Sequence, residues 1–454
     1  MSVDDERFPD ATGAPAREPD PRAAPDTASE PAPEPSSERG LSRRGLMGLA
    51  LGAGAVGAAL GAGGGVIGGM ALGRDQAHAA TDAVAPASGI HQPGIITPVQ
   101  DHLHFAAYDM MARTTRDDLA ELLSDWTYAA TRMMQGLDVS ASGAVGGSPE
   151  APPDDTGEAL GLPASNLTIT FGFGPSLFDE RFGLPGQRPA GLERLPAFLG
   201  DDLDPLRSDG DLCIQACADD PQVAVHAIRN LSRIAFGRAT IRWSQLGFGR
   251  TSKTTAAQAT PRNLFGYKDG TANILADDTA ALDENVWVSA SEGPAWLAGG
   301  SYLVARRIAM LIETWDRTRL AEQDRVVGRD KANGAPLSGG DEFAAPDFSA
   351  LGAAGSTAID PRSHVRLAHP DMNGGIRILR RGYNFVDGTT DLGRLNAGLF
   401  FLSFQKSPDR FVTLQRSLAT DAMGEYLRHV GSGLWAVPPA PAAGASIGAG
   451  LLGA

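Results

Sequence analysis

Cysteine is nearly absent: the 454 residues contain two, Cys213 and Cys217, so no disulfide framework exists. They stand four apart in DLCIQACADD, which reads as a strand. At ~3.3 Å per residue their Cα atoms would lie about 13 Å apart, too far to bridge, and both read as small buried apolar residues. Lysine is scarce too, at positions 253, 268, 331 and 406 only, with no basic run. With 54 acidic against 39 basic residues and a net charge of −15, the chain lacks the cationic stripe that tracks phosphates, which argues against non-specific nucleic-acid binding, and no nucleic-acid partner is expected. No phosphate-cradling Walker loop, H-E-x-x-H or paired C-x-x-C is present, which argues against a structural zinc site. FGFGP at 171–175 is only a weak glycine match. What remains is ordinary: 42% hydrophobic and 20% charged residues, enough chain for two or three domains at ~100–200 residues each.

The N-terminus does not read as part of a fold. Residues 1–40 hold eight prolines and ten acids with almost no large apolar side chain, a composition that cannot offset ordering entropy, so disorder is expected there. Arg43-Arg44 then precede a run, 45–73, that carries no charge and is rich in glycine and alanine, followed by Ala77-His78-Ala79. A charged start, an apolar middle and a small-x-small end make an export signal, and the twin arginine with a weakly hydrophobic middle points to the twin-arginine translocase. The run is also long enough to serve as a membrane anchor, although glycine at this density makes a poor helix. The chain is expected to be exported, to a periplasmic, cell-surface or extracellular location. Because that route carries folded proteins, the signal points to a cofactor inserted before export.

The remainder reads as an α+β unit used twice. HLHFAAYDM at 102–110 is a strand, and Thr115-Arg116-Asp117-Asp118 opens a helix with a capping-box pattern. Residues 166–172 and 211–218 read as strands, and Asp220-Pro221 starts a second helix as N-cap and N1. The second half repeats the order: a strand at 301–312, a helix at 315–323, strands at 376–380 and 399–405, and a helix opened by Ser407-Pro408. Two ferredoxin-like units packed sheet to sheet, barrel-like, follow from this pattern. The expected division is 1–79 for the disordered region and signal, 80–290 and 291–437 for the two units, and 438–454 for a flexible, uncharged tail. Residues 139–165 and 328–360 read as surface loops.

Three segments carry the chemistry. Asn263-Leu264-Phe265-Gly266-Tyr267-Lys268-Asp269-Gly270-Thr271-Ala272-Asn273 brackets an acid with two glycines, so the backbone could come close to something flat. Ser363-His364-Val365-Arg366-Leu367-Ala368-His369-Pro370 offers two histidines, and Ile376 to Phe385 offers Arg377, Arg380 and Arg381. In this order, G-Y-K-D-G-T-A-N, S-H-V-R-L-A-H-P and I-L-R-R-G-Y-N-F resemble the dye-decolorizing peroxidases, most closely the exported deferrochelatase/peroxidase branch. The likeness extends through DLCIQACADDPQVAVHAIRNL, GGSYLVARRIAMLIETWDRT and FLSFQKSPDRFVTLQ and covers roughly residues 90–437.

The resemblance implies two ferredoxin-like units with one haem b per chain in the C-terminal unit. It places the proximal iron ligand on His364, with His369 the competitor, and a carboxylate partner for that ligand on Asp421. It places the distal acid on Asp269 and the distal arginine on Arg380, with Arg381 the neighbour that could be mistaken for it. A carboxylate above the iron can take a proton from peroxide and return it to the leaving oxygen, while a permanent cation stabilises the charge that builds as the O–O bond breaks. Gly270, Thr271 and Ala272 would line the distal haem face, and Arg307 or Arg306 would pair with propionates. Other branches carry an asparagine two residues past the distal arginine, where this chain has Gly382, so the pocket would depend on Asp269 and Arg380.

The implied activity is reduction of H2O2 with oxidation of one-electron donors such as dyes. Trp243, Trp287, Trp435, Tyr302 and Tyr383 are unranked surface-relay candidates. Two alternatives stay open: iron release from haem within an iron-uptake system, and a haem-binding module without turnover. A homo-oligomer is compatible with each.

Overall fold

The computed structural model of the chain describes residues 89–352 and 355–453. Segment 1–40, Arg43-Arg44, the run 45–73 and Ala77-His78-Ala79 lie outside the described residues. Among the described residues, no helix is long and apolar enough to cross a membrane.

In chain order the first half comprises β1 (His102–Met110), α1 (Arg116–Met133), β2 (Thr168–Phe173), β3 (Leu212–Ala218), α2 (Pro221–Ile234) and β4 (Ala239–Arg250). A long connection containing α3 (Thr279–Asn285) leads to β5 (Ser301–Met310), α4 (Ile312–Asp316), α5 (Leu320–Val327) and the short α6 (His364–Leu367). The chain then forms β6 (Leu379–Arg380), β7 (Tyr383–Thr389), β8 (Leu395–Gln405), α7 (Pro408–Ser417), β9 (Leu427–Val437) and α8 (Ala449–Leu452).

Local chemistry sets the helix starts. Thr115 and Asp118 form a reciprocal capping box on α1. Asp220 accepts from Gln222 N ahead of Pro221, and Ser407 accepts from Asp409 N ahead of Pro408, so the two helices that follow a central strand begin with the same device. The helix expected over 315–323 is instead two, α4 and α5. The Gln323 amide donates to the carbonyls of Trp315 and Thr318, capturing the acceptors a continuous helix would have used.

All strand pairs in the sheet are antiparallel, with order β5-β9-β2-β3-β1-β4-β7-β8-β6 and a closing pair β5–β8. The pairing makes a barrel-like arrangement without free edges, apart from the two-residue β6. Each half pairs its strands alike, β2-β3-β1-β4 and β7-β8-β5-β9, and the halves are stitched where β4 meets β7 and β2 meets β9. Inside lie Phe105, Trp243, Phe400 and Trp435, with ring centroids 5.2–6.2 Å apart. Cys213 and Cys217 are buried there as free thiols. A second core joins α1 and α2 to the outer face of β1–β3. A third packs Phe265, Tyr267, Trp315, Met423 and Tyr426 beside the loops described below.

The tail expected to be flexible is docked. Ile447 and Leu451 are buried in the core under α1, because Gly448, at φ +75°, turns the chain onto Phe173 and Leu123. Ile447 N donates to Thr127 Oγ1 at 2.9 Å and Arg116 Nη2 to Leu452 O at 2.9 Å. Loop 139–165 is also pinned: its Asp155, buried, sits 2.9 Å from His226 Nε2 on α2.

Candidate active site

The acid of the first motif is presented by a tight turn. Gly266 N donates to Asn263 O, Asn263 N to Tyr267 O and Asp269 N to Pro261 O, which folds the segment back on itself. Gly266 and Gly270 take φ +82° and +97°. A Cβ on Gly270 would stand 2.8 Å from Ser252 Cα, and one on Gly266 would stand 2.8 Å from Lys331 Cε. The missing side chains therefore make room for this chain's own backbone and lysine. Of the neighbours expected to line a cofactor face, Gly270 is buried against that backbone. Thr271 donates to Glu342 Oε1 at 3.2 Å, and Ala272 is exposed.

Asp269 is held at both oxygens. Asn263 Nδ2 donates to Oδ2 at 3.2 Å, and Arg380 Nη1 to Oδ1 at 2.6 Å. The register of Arg380 comes from Asn273, the last residue of the same motif. Its buried amide donates to Arg380 O and accepts from Arg380 N, both at 2.8 Å, and also donates to Lys253 O at 2.8 Å. Arg381, one residue on, points the other way: it is fully buried, with Nη1 on Thr97 O at 2.6 Å and Nη2 on Gln100 Oε1. At Gly382 a Cβ would lie 2.7 Å from Thr251 Oγ1, so the side chain of Thr251, just past β4, fills the place of a side chain.

His364 opens α6, and its Nδ1 lies 2.6 Å from Asp421 Oδ2. Asp421 is itself fixed: Oδ1 accepts from Met423 N at 2.9 Å, and Ala422 N donates to Arg362 O at 3.0 Å, tying the two segments together. The Nε2 atom has no hydrogen-bond partner among the described residues, and the side chain is 36% exposed against 6% for Asp421. Burial pulls the imidazole pKa down, but the charge and hydrogen bond of Asp421, with a further contribution from Asp269, outweigh it and Arg380, leaving it above 6.5. Asp269 and Arg380 are thus near enough for their charges to act on the imidazole.

His369 is engaged by its own turn: Nδ1 accepts from Asp371 N at 3.2 Å, and the ring packs edge-on to Phe348. It makes no hydrogen bond or ion pair with Asp269, Arg380 or Asp421 among the described residues. Arg307 and Arg306 are not free for propionates. Arg307 donates to Gln245, Asp387 and Asn396 at 2.9, 2.9 and 3.0 Å and stacks on Phe385, while Arg306 is bonded to Asp201, Ser432 and His429. Nor is 328–360 merely a surface loop. Arg262 donates to Lys331 O and Ala332 O, and Lys268 bonds Glu342, so part of that segment is strapped across the Asp269 turn. Sequence reasoning had named no role for Asn263 and Asn273, although both lie within the first motif.

The residues fit haem by their donor chemistry. A histidine oriented through one ring nitrogen by a carboxylate, with the other nitrogen open, suits an axial iron ligand, and the charges of the acid–arginine pair act on its ring.

The barrel and this site define a haem-dependent oxidoreductase. The chain belongs to the Dyp-type peroxidase family and is a haem-dependent peroxidase: residues 92–249 match the model of the family's N-terminal part and residues 260–442 that of its C-terminal part. The second match begins 30 residues before the boundary expected near 290, so the Asp269 turn falls in the C-terminal part. The chain is 37% identical over 374 residues to the deferrochelatase of Escherichia coli K12, covering 81% of this chain and 87% of that one. The crystal structure of a DyP-type peroxidase from Streptomyces coelicolor is similar at 41% identity and a TM-score of 0.75, covering 82% of this chain and 98% of that one. The oxyferrous/water mixed complex of DtpA from Streptomyces lividans matches at 42% identity and a TM-score of 0.75, with the same coverage of 82% and 98%.

Proposed function

We propose that the chain binds one haem b through His364 Nε2 and reduces H2O2 at the expense of one-electron donors, with Asp269 moving the peroxide proton and Arg380 stabilising the charge that develops. The observation that supports this is a histidine paired through Nδ1 with Asp421 at 2.6 Å, on whose imidazole the charges of a second pair, Asp269–Arg380 at 2.6 Å, also act. Bound haem supplies the redox iron at which peroxide is reduced. Asp421 holds the imidazole through Nδ1, fixing the tautomer that leaves Nε2 as donor. Asp269, accepting from Asn263 and Arg380, is a carboxylate with one proton to take and return at its oxygens. Arg380, clamped by Asn273, is a fixed cation that need not reorganise during reaction.

A second reading, iron release from haem, is favoured by the 37% identity to deferrochelatases. The two separate in one experiment: the haem-loaded chain is incubated with H2O2, and dye turnover and free protoporphyrin are measured against haem alone. Dye turnover without protoporphyrin supports the peroxidase reading, and protoporphyrin above the haem control supports the other.

The identical pairing order of the halves supports a duplicated ferredoxin-like unit, with the division between Arg250 and Thr260. Arg43-Arg44 and the run after them support export by the twin-arginine translocase with the cofactor already in place. The deferrochelatase likeness supports a working place beside iron-uptake components.

A further inference from the structure

The aromatic residues that the sequence offered as surface contacts for a bulky donor lie inside the fold. Trp243, Trp287, Trp435, Tyr302 and Tyr383 are none of them more than 9% exposed, so a dye cannot stack on them. Among the described residues the exposed large aromatics are Tyr128, Phe236, Phe248 and Phe343. The first three belong to the N-terminal part of the chain. Phe343, 64% exposed, stands on the segment strapped across the Asp269 turn.

That ring is fastened from below. Phe343 N donates to Asp341 Oδ1 at 3.0 Å, and the adjoining Glu342 accepts from Lys268 and Thr271, both within the motif of the acid. Lys253 Nζ lies 4.6 Å from the centre of the Phe343 ring. Lys253 is 5% exposed, and among the described residues its ammonium has neither a hydrogen bond nor a carboxylate within 4.0 Å. The ring is therefore the partner of a desolvated cation, which holds it in place. The carbonyl of the same lysine accepts from Asn273, the residue that clamps Arg380. Since Phe343 is mostly exposed while one face covers the lysine, the opposite face meets solvent.

A ring already immobilised loses little further freedom when another ring stacks on it. A cation on one face draws π density toward itself, so the open face favours an electron-rich ring in offset stacking. Phenylalanine is harder to oxidise than tyrosine or tryptophan, so this ring suits holding a donor rather than relaying its electrons. We propose that Phe343 is a docking face for electron-rich aromatic donors, such as phenols and alkoxy- or amino-substituted rings. The proposal rests on the peroxidase reading given above and names where its donor is held.

The test uses 4-methoxyphenol and 4-cyanophenol, similar in size and opposite in ring electron density, both un-ionised in mildly acidic buffer. Each is titrated calorimetrically into the haem-loaded chain without peroxide. Peroxide-dependent turnover is then measured with 4-methoxyphenol and with ferrocyanide, which has no ring to stack. Wild type should bind the methoxy compound about threefold more tightly than the cyano compound, and Lys253→Met should remove that preference. Phe343→Ala and Phe343→Leu should each raise Kd and KM for 4-methoxyphenol by about three- to tenfold, with ferrocyanide turnover unchanged, and Phe343→Tyr should keep the wild-type values. Wild-type Kd and KM in Phe343→Ala overturn the proposal. So does a Phe343→Leu chain that behaves as wild type, which shows that bulk rather than the ring matters, or a parallel loss of ferrocyanide turnover, which shows a merely structural residue. If wild type oxidises neither donor, the peroxidase reading itself fails, and the docking role falls with it.

Discussion

Arg380 Nη1 stands 2.6 Å from Asp269 Oδ1 across 111 residues of sequence, and the contact exists because Asn273 holds the Arg380 backbone at both its N–H and its carbonyl. One motif thus supplies both the acid and the clamp that brings the arginine to it.

Removing the proton acceptor while keeping its shape is the sharpest probe of the acid. Asp269→Asn should retain haem and lose about 10²–10⁴-fold in peroxide-dependent dye turnover, the usual contribution of a positioned acid–base group. Steady-state rates beside the Soret spectrum check it. Wild-type turnover in the variant would remove Asp269 from the mechanism.

Asn273→Ala tests the clamp. It leaves the half-buried N–H and carbonyl of Arg380 without these partners, at up to about 1 kcal/mol each, so denaturant unfolding should show a loss of stability. Turnover should fall toward that of Arg380→Leu. Combining the two substitutions should cost much less activity than the sum of the single losses, because both act through one guanidinium.

Acid should weaken haem binding through His364. Its pKa in the cofactor-free chain is raised above 6.5 by Asp421 and Asp269 against Arg380 and burial, and iron requires the neutral ring. Below that raised value a proton must be displaced, so apparent affinity should fall by up to about tenfold per pH unit as pH drops. For the cofactor-free fold the sign is opposite: the pair's stabilisation is present below ~6.5 and is lost as pH rises through the raised value. Asp421→Asn should move the onset of acid weakening to lower pH, while reducing affinity at neutral pH by about 10–100-fold. Soret titrations across pH read both effects.

The signal makes its own prediction. Replacing Arg43 and Arg44 with lysine should leave folded, haem-loaded protein in the cytoplasm, scored by fractionation. Undiminished export of the double variant would contradict the twin-arginine reading.

Much of this was legible because local rules spoke. The capping box at Thr115 and the Asp220-Pro221 and Ser407-Pro408 starts are local devices, and β1 and β3 are nearly continuous apolar runs. β4 was missed because its outer face is polar or solvent-exposed through ATIRWSQLGFGR, and its pairing with β1 and β7 is set by distant residues. In the site, the motifs named His364, Asp269 and Arg380 and the family resemblance added Asp421, and the structure pairs His364 with Asp421 and Asp269 with Arg380. Arg307 misled because an arginine in a strand shows nothing of its partners: Asp387 and Asn396 reach it only when β5, β7 and β8 assemble.

The account turns on His364 as the group that holds the iron, and the most direct measurement is haem titration of His364→Gly with and without added imidazole, with His369→Gly alongside. The account predicts that His364→Gly loses the wild-type Soret band, that free imidazole restores it, and that His369→Gly binds as wild type does. A normal Soret band in His364→Gly, with loss and imidazole rescue in His369→Gly, would contradict it.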